Sequence, residues 1–252
     1  MFQSRRQSEI LQAVRLSGSC SIGELAERFE VSGETIRRTV KPLVSQGLVR
    51  RVHGGVTLPE RLQEPPFHKR MQQNSAEKQR IARKVAEQVD NGDTLILDCG
   101  STTTYVARAL SQHRGLVVVT NSAEIARTLA TNDSNKVFMA GGELRSDDTA
   151  SLGPEALSFV GQFQVRHAIL SLGAIDDTGN MMVYHLSEAD FSRAVMARAE
   201  NVIVAVDHSK FGRKGLVRIC EPGRVDSLVT DAPPPEPLRG HLDSAEVEIL
   251  VA

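Results

Sequence analysis

Hydrophobic residues in the first 58 positions repeat at helical spacing in three segments and then change to two short strand-like runs. The first segment covers 4–17, the second begins at Ser21 with Glu24 three residues later, and the third covers 32–46. A serine followed by a glutamate at that spacing is a typical helix start. The β-prone runs at 48–58 flank a Gly-Gly pair, which favours a hairpin. Three helices followed by a hairpin predict a winged helix-turn-helix.

The rest of the chain alternates short apolar runs with amphipathic helical segments, an order typical of α/β proteins. The apolar runs are predicted strands, at 94–98, 116–120, 136–140, 167–172, 201–206 and 227–231. They are almost continuously apolar, as expected for a parallel sheet that helices cover on both faces. The sequence therefore predicts an open α/β sheet domain after the winged helix-turn-helix.

The stretch 59–74 separates these two parts. It contains three prolines and shows no periodicity, which predicts a linker. We call residues 1–58 the head and residues 75–252 the body. A helix is predicted to open the body, with Asn74 as its cap and Glu77 three residues later.

Composition places the chain among ordinary globular proteins. Of its 252 residues, 40% are hydrophobic and 24% are charged, so a core can form. No apolar run approaches the roughly 20 residues of a membrane span, and the polar, basic N-terminus lacks the apolar stretch of a signal peptide. Three cysteines without a CxxC pair suggest reduced thiols, and we expect a cytoplasmic protein without membrane contact.

The net charge of −1 hides a division along the chain. Residues 1–74 hold 12 Lys and Arg against 7 Asp and Glu, a net of +5, and the remainder carries −6. A basic head on an acidic body suggests that the head meets a polyanion.

The third predicted helix has the composition of a DNA recognition helix. Its polar side begins with short residues and carries arginines, the residue types that reach bases and phosphates in the major groove. Basic residues of the hairpin add contacts to the DNA backbone. The candidate DNA-binding residues are Ser32, Thr35, Arg37, Arg38, Lys41, Arg51 and His53. A solvated basic face is the alternative for this pattern alone.

The stretch 5–55 resembles the N-terminal domain of the DeoR family of bacterial repressors. The matching pieces are ILQAV, ELAERFEVS, TIRR and RVHGG. One position departs from the family, because Thr39 stands where an aspartate usually follows the arginine pair. The resemblance implies binding to double-stranded operator DNA. Since symmetric oligomers bind symmetric sites, we expect an inverted repeat and a homodimer or homotetramer.

The clearest candidate site in the body is the sequence DCGSTTT at 98–104, between a predicted strand and a predicted helix. A glycine for the turn, free amides at the helix start and several hydroxyls make a cradle for a phosphate. The motif lacks the Gly-Lys-Ser/Thr ending of a Walker loop and the GxGxxG pattern of dinucleotide sites, so no nucleotide or other cofactor is indicated. An ordinary capped turn is the alternative.

Polar residues also follow other predicted strands. Ligands bind at the carboxyl ends of strands in open α/β sheets, so these positions are candidates for an effector site. Together with the 98–104 motif they give Asp98, Gly100, Ser101, Thr102, Thr103, Asn121, Gly142, Asp176, Glu188 and Lys210. Each of them alone has a structural explanation, such as a helix cap or a turn.

Residues 77–235 resemble the effector domain of the DeoR family, whose fold is related to ribose-5-phosphate isomerase. The matching segments are DCGSTTT, VVTNS, AGGELRS, LGAIDDTGN and DHSKFGR. The resemblance implies that residues 100–103 hold a phosphate and that the rest of the pocket is lined by Asn121, Asp176, Glu188 and Lys210. We therefore expect a repressor of a carbohydrate or polyol operon that a phosphorylated sugar or polyol releases from its operator.

A sugar-phosphate isomerase fused to a DNA-binding head is the alternative function. Glu188 and Lys210 would then supply the base and the electrophile. Against this alternative, the isomerase signature Asp-Gly-Ala-Asp becomes Leu-Gly-Ala-Ile-Asp at 172–176, without its first aspartate. The histidines show no metal-binding spacing, so neither a metal nor a catalytic residue is predicted. Cys99, at a helix start, would be a thiol sensor if its pKa were lowered.

Overall fold

The computed structural model describes residues 5–17, 19–46, 48–52, 54–57, 64–132 and 134–252. The chain divides into two compact units. The first comprises residues 1–64 with 184–186, and the second comprises 65–183 with 187–252. Within the described ranges, no helix combines the length and the apolar character needed to cross a bilayer.

The first unit is the expected winged helix-turn-helix. Its elements are α1 (Arg5–Ser17), β1 (Ser19–Ser21), α2 (Ile22–Arg28), α3 (Gly33–Ser45), β2 (Arg50–Val52) and β3 (Gly55–Thr57). Strand β3 pairs antiparallel with both β2 and β1, which gives a three-stranded sheet. The β1 strand has only three residues and no apolar alternation, and the sequence did not predict it.

The helices of the first unit begin at the predicted caps. The Ser21 hydroxyl accepts the Glu24 amide at 3.0 Å, and the Glu24 carboxylate accepts the Ser21 amide at 2.7 Å, which confirms the capping box. Ser32 accepts the Thr35 amide at 3.2 Å and so caps α3. The apolar faces of the helices and of β3 meet in a buried core that contains Ile10, Val14, Leu25, Ile36, Leu43 and Val56.

From residue 65 the chain alternates helices and strands. The helices are α4 (Phe67–Gln72), α5 (Ser75–Ala86), α6 (Ser101–Leu110), α7 (Ala123–Ala130), α8 (Pro154–Val160), α9 (Leu186–Met196) and α10 (Leu238–Ser244). The strands are β4 (Thr94–Leu97), β5 (Val117–Thr120), β6 (Lys136–Met139), β7 (Val165–Leu170), β8 (Ala174–Ile175), β9 (Met181–Val183), β10 (Ala199–Ala205), β11 (Val217–Cys220), β12 (Ser227–Thr230) and β13 (Glu248–Val251).

Seven of these strands form a parallel sheet in the order β13-β12-β10-β7-β4-β5-β6. Successive side chains of a strand point to opposite faces, and Leu95 and Ile96 accordingly belong to separate apolar clusters. Both faces are therefore covered, as the continuous apolar runs predicted. A small antiparallel sheet, β11-β9-β8, was not predicted because its strands are only two to four residues long.

The strand order changes direction between β4 and β7. From β4 the chain adds β5 and β6 on one side, and from β7 it adds β10, β12 and β13 on the other. Such a switch point leaves a crevice at the carboxyl ends of the two central strands. The DCGSTTT turn follows β4, so the topology places it at this crevice.

The second half of the predicted linker, 59–74, contains a helix that the sequence did not predict. Residues 67–72 form α4, and the second unit begins at Pro65. A proline is tolerated at a helix start, and six residues are too few to show periodicity. The roles assigned to the remaining segments stay predictions, and residues 58–63 lie outside the described ranges.

Candidate functional site

The polar side of α3 exposes three of the predicted DNA-binding cations, Arg37, Arg38 and Lys41. Arg37 is held by an ion pair to Glu34, one turn earlier, at 3.2 Å. Ser32 and Thr35 start the helix, and their hydroxyls lie 3.0 Å apart. The start of α3 is capped, and the exposed cations follow it along the helix. This arrangement suits contact with DNA phosphates and base edges.

Residue 39 is where the sequence departs from the pattern of the family that it resembles. The Thr39 hydroxyl donates to the Thr35 carbonyl at 2.8 Å, within α3. This side chain therefore supplies no carboxylate to orient an arginine. On the hairpin, Arg50 and Arg51 of β2 are exposed. The predicted wing residue His53 lies outside the described residues.

The turn between β4 and α6 is packed tightly against the loop after β7. A side chain at Gly100 would place its Cβ 1.6 Å from the Ser171 hydroxyl oxygen, so glycine is required there. Across the same contact, the Ser171 amide donates to Asp98 at 3.0 Å. The two central strand ends are thereby joined at the switch point.

The start of α6 presents donors for an anion. Its N-cap is glycine and provides no side-chain cap, and the first amides of a helix have no acceptor within the helix. Thr103 behaves differently from its prediction, because its hydroxyl accepts the Gly100 amide at 2.8 Å and donates to the Asp98 carbonyl at 3.0 Å. That hydroxyl stabilises the turn, and only the amide of Thr103 remains for a ligand. Ser101 and Thr102 are almost fully buried beside it.

Asn121, after β5, is completely buried. Its amide nitrogen donates to the Ser151 carbonyl at 3.0 Å, and its amide oxygen has no hydrogen-bond partner among the described residues. Gly142 packs against the same serine, and a Cβ there would lie 2.8 Å from the Ser151 hydroxyl oxygen. The structure thus brings Asn121 and Gly142 together through one residue and leaves one buried acceptor unsatisfied.

Asp176, a predicted effector residue, is engaged in a turn. One carboxylate oxygen accepts the Thr178 hydroxyl and the backbone amides of Thr178 and Asn180, and the other accepts the Asn180 side chain. Burial opposes ionisation of this group, but these hydrogen bonds outweigh it and lower the pKa of Asp176. The carboxylate closes the β8–β9 turn, and its accepting capacity is used within that turn.

Arg145 is a central residue that the sequence analysis did not single out. Its guanidinium donates to both oxygens of Asp148 and, at 2.7 Å, to Glu188, the predicted effector residue at the start of α9. Glu188 is therefore held by a cation from a loop 43 positions earlier. The only signal in the sequence was the segment AGGELRS, which contains this arginine.

The thiol-sensor hypothesis for Cys99 is not supported. Burial raises the pKa of the Cys99 thiol well above its usual value, and the carboxylates of Asp148, Asp98 and Glu188 raise it further. A thiol in this setting stays protonated and unreactive. Cys99 therefore marks a carboxylate-rich part of the site in which Arg145 is the neighbouring cation.

Lys210 lines a cavity of about 340 Å³ in the second unit. Four cationic side chains surround this cavity, Arg70, Lys78, Lys210 and Arg213. Among the described residues that line it, the one carboxylate is Asp207, which accepts the Asn74 side chain at 2.8 Å and the Ser209 amide at 3.0 Å. Burial disfavours its charge, but these hydrogen bonds and the ammonium groups of Lys78 and Lys210 lower the pKa of Asp207. The cavity is strongly cationic.

The predicted capping box at Asn74 is absent. Asn74 precedes α5 in a left-handed conformation, makes no cap hydrogen bond, and sends its side chain to Asp207 instead. The buried Lys78 ammonium donates to the carbonyls of Arg70 and Gln73. These long-range contacts explain why the sequence analysis missed the α4–α5 corner as part of the cavity.

Comparisons with known proteins agree with both units. Residues 6–61 match the DeoR-like helix-turn-helix domain, and residues 73–232 match the DeoR C-terminal sensor domain. The chain is 42% identical over 235 residues to the glycerol-3-phosphate regulon repressor of Escherichia coli, covering 93% of each chain. It is 35% identical over 246 residues to the HTH-type transcriptional repressor CsqR of the same organism, covering 98% of this chain and 94% of the other.

Among solved structures, a D-ribose-5-phosphate isomerase in complex with phospho-erythronic acid superposes with a TM-score of 0.40 at 19% identity, covering 54% of each chain. The two sequence relatives are regulators and not enzymes, which favours the regulator over the isomerase alternative. With its two domain matches and full-length relatives, this chain belongs to the DeoR family of transcriptional repressors.

Proposed function

We propose that the protein represses a carbohydrate or polyol catabolic operon and that a phosphorylated sugar or polyol releases it from the operator. The observation that carries this proposal is that one α/β unit holds free helix amides at the switch-point turn, an unsatisfied buried Asn121 oxygen and a cationic cavity. An anionic, hydroxyl-rich ligand complements such a set of groups. The winged helix-turn-helix on the same chain supplies the DNA-binding function.

The phosphate is assigned to the start of α6, with the amides of 101–103 and the hydroxyls of Ser101 and Thr102 as donors. Lys210 adds positive charge from the cavity. The hydroxylated part of the ligand is assigned to Asn121 and Glu188, which offer acceptors at the ends of neighbouring elements. Because Asp176 is engaged in its own turn, it is left out of this ligand set.

Glycerol 3-phosphate is the first effector to test, because one relative is named for it. The recognised chemistry is the phosphate with adjacent hydroxyls, which ribose 5-phosphate and hexose phosphates share. On the DNA side, the partner is a double-stranded operator with inverted half-sites, bound by a homodimer or homotetramer. Such a protein works in the cytoplasm and associates with the nucleoid when it is bound to DNA.

The test is fluorescence anisotropy of the full chain on its own upstream promoter DNA. Glycerol 3-phosphate and a panel of sugar phosphates are titrated beside their unphosphorylated parents. We expect at least one phosphorylated compound to release the DNA while its parent does not. If no phosphorylated compound changes operator affinity, the effector assignment is wrong, whereas loss of specific DNA binding itself would refute the repressor function.

Two variants locate the anion. Lys210→Ala should weaken the response to the active phosphate by about tenfold, since a charge-assisted hydrogen bond contributes about 1.5–3 kcal/mol. Lys214→Ala is the matched control, because Lys214 is an exposed lysine four positions later that does not line the cavity. Equal responses of both variants would remove Lys210 from the ligand set.

A further inference from the structure

We propose that the loop at residues 145–148 couples the effector site to helix α4, and through α4 to the DNA-binding head. This inference rests on the function proposed above and concerns how occupancy of that site is transmitted. It follows from contacts that fix both ends of α4 to loops at the carboxyl edge of the parallel sheet.

The first end of α4 is held by Asp147. The Phe67 amide donates to both carboxylate oxygens of Asp147, at 3.1 and 3.0 Å, and the Arg70 guanidinium lies 3.9 Å from the same carboxylate. The N-cap position, Pro66, makes no side-chain cap hydrogen bond. A side chain 80 positions away therefore does the work that a local cap does in most helices.

The second end of α4 is held by the strand-end loop after β10. Lys78 binds the carbonyls of Arg70 and Gln73, and Asn74 binds the buried Asp207. Arg70, Asn74 and Lys78 all line the cationic cavity that also contains Lys210. Helix α4 is thus part of the wall of the cationic cavity from which Lys210 is proposed to act on the effector.

The loop that carries Asp147 is itself tied to the effector site. Arg145 binds Asp148 on one side and Glu188 on the other. The backbone closes the loop with the Arg145 amide donating to Ala150 at 2.8 Å and the Thr149 amide donating to Arg145 at 2.9 Å. Asp147 therefore lies between residues that are fixed by hydrogen bonds. A ligand that binds Glu188 and breaks its ion pair with Arg145 moves this loop, and with it the carboxylate that binds the start of α4.

The position of α4 in the sequence gives this shift a consequence. Phe67 follows Glu64, the last residue of the N-terminal segment of the first unit, by only three positions. Movement of α4 therefore displaces the residues that connect the second unit to the head in the sequence. Coupling between sites requires an element whose equilibrium both sites bias, and α4 with its two anchors is that element.

The test measures operator affinity with and without glycerol 3-phosphate and each compound of the sugar-phosphate panel, together with direct calorimetric binding of each compound. The variants are Asp147→Ala, which removes the anchor, and Asp147→Asn, which keeps an acceptor for the Phe67 amide but loses the attraction to Arg70. Asp243→Ala is the control, since Asp243 is an exposed carboxylate of α10 that lies 3.6 Å from Arg239.

In the unmodified chain the active compound should lower operator affinity by about 5–150-fold, the usual range of coupling. Asp147→Ala should still bind that compound, but the compound should lower its operator affinity much less. Asp147→Asn should show an intermediate decrease, and Asp243→Ala should show the same decrease as the unmodified chain. The ratio of operator affinities without and with the compound is compared within each variant, so a change in basal operator affinity cancels. If Asp147→Ala does not fold, Asp147→Asn provides the test.

Full release of Asp147→Ala and Asp147→Asn from DNA would overturn the coupling proposal while leaving the proposed function intact. Loss of calorimetric binding in Asp147→Ala would place Asp147 in the ligand pocket and overturn it too. If no compound releases even the unmodified chain, the proposed function fails first and the coupling fails with it.

Discussion

Replacing Gly100 by alanine tests the packing of the switch point directly. The new Cβ would lie 1.6 Å from the Ser171 hydroxyl oxygen, 2.8 Å from its Cβ and 3.0 Å from the Thr103 hydroxyl oxygen. Since Cβ atoms essentially never come closer than 3.0 Å, the oxygen must move by at least 1.4 Å, the difference between 3.0 and 1.6 Å. Rotating the Ser171 side chain leaves its Cβ too close, so the backbone must shift as well.

Overpacking of this kind costs about 1–3 kcal/mol. We therefore expect Gly100→Ala to lower the free energy of unfolding of the second unit by that amount, measured by urea denaturation, and to abolish the effector response. Gly141→Ala is the control, because a Cβ at Gly141 meets nothing within 4 Å. Operator binding by the head should survive in both variants.

A double variant tests the contact between Gly100 and Ser171. Ser171→Gly removes both atoms of Ser171 that collide with the new Cβ and keeps the backbone amide that Asp98 accepts. The pair Gly100→Ala with Ser171→Gly should be less destabilised than the sum of the single variants, by at least about 0.5 kcal/mol, as expected for residues in contact. Strict additivity, or a Gly100→Ala variant as stable as Gly141→Ala, would show that the two loops are not packed as described.

Three further outcomes are expected. Changing Arg37 and Arg38 together to alanine should weaken operator binding and make the salt dependence shallower, by about one in the log–log slope for each DNA phosphate that the variant no longer neutralises, measured by anisotropy across salt concentrations; an unchanged slope removes them from the interface. Ser32→Ala should destabilise the head by about 1 kcal/mol and Ser32→Gly by only a few tenths, measured by urea denaturation, since the cap on Thr35 is removed; equal effects would point to another cause. Burial lowers the pKa of His167, so the folded state resists its protonation, and stability should fall as pH drops from the usual value of 6.5 toward the lowered one. Replacing His167 by leucine should flatten that part of the pH–stability curve, and an unchanged curve would assign the effect to another group.

The sequence predicted the elements that have strong local signals. The apolar runs of the parallel sheet and the caps at Ser21 and Ser32 were found because periodicity and capping depend on neighbouring residues. The polar residues at strand ends were placed at one edge of the sheet because parallel strands share a direction. These local rules were enough for the fold class and for the position of the switch-point turn.

What the sequence did not predict depends on contacts between distant residues. Helix α4 is short, and its first amide donates to Asp147. No local sequence pattern predicts a contact with a residue 80 positions away. Nothing in the sequence distinguishes Arg145 from a surface arginine, because its partner Glu188 is 43 positions away. Asp176 is the opposite case, because a turn aspartate can bind a ligand or close its own loop, and the sequence does not show that its carboxylate accepts hydrogen bonds from Thr178 and Asn180.

The charges at the carboxyl edge of the sheet are segregated. Arg70, Lys78, Lys210 and Arg213 line the cavity, while the carboxylates of Asp148, Asp98 and Glu188 raise the pKa of Cys99. The adjacent residues Asp147 and Asp148 pair with Arg70 and Arg145. An anion at this edge is therefore attracted by one group of side chains and repelled by the other, while the carboxylates remain acceptors for hydroxyl groups.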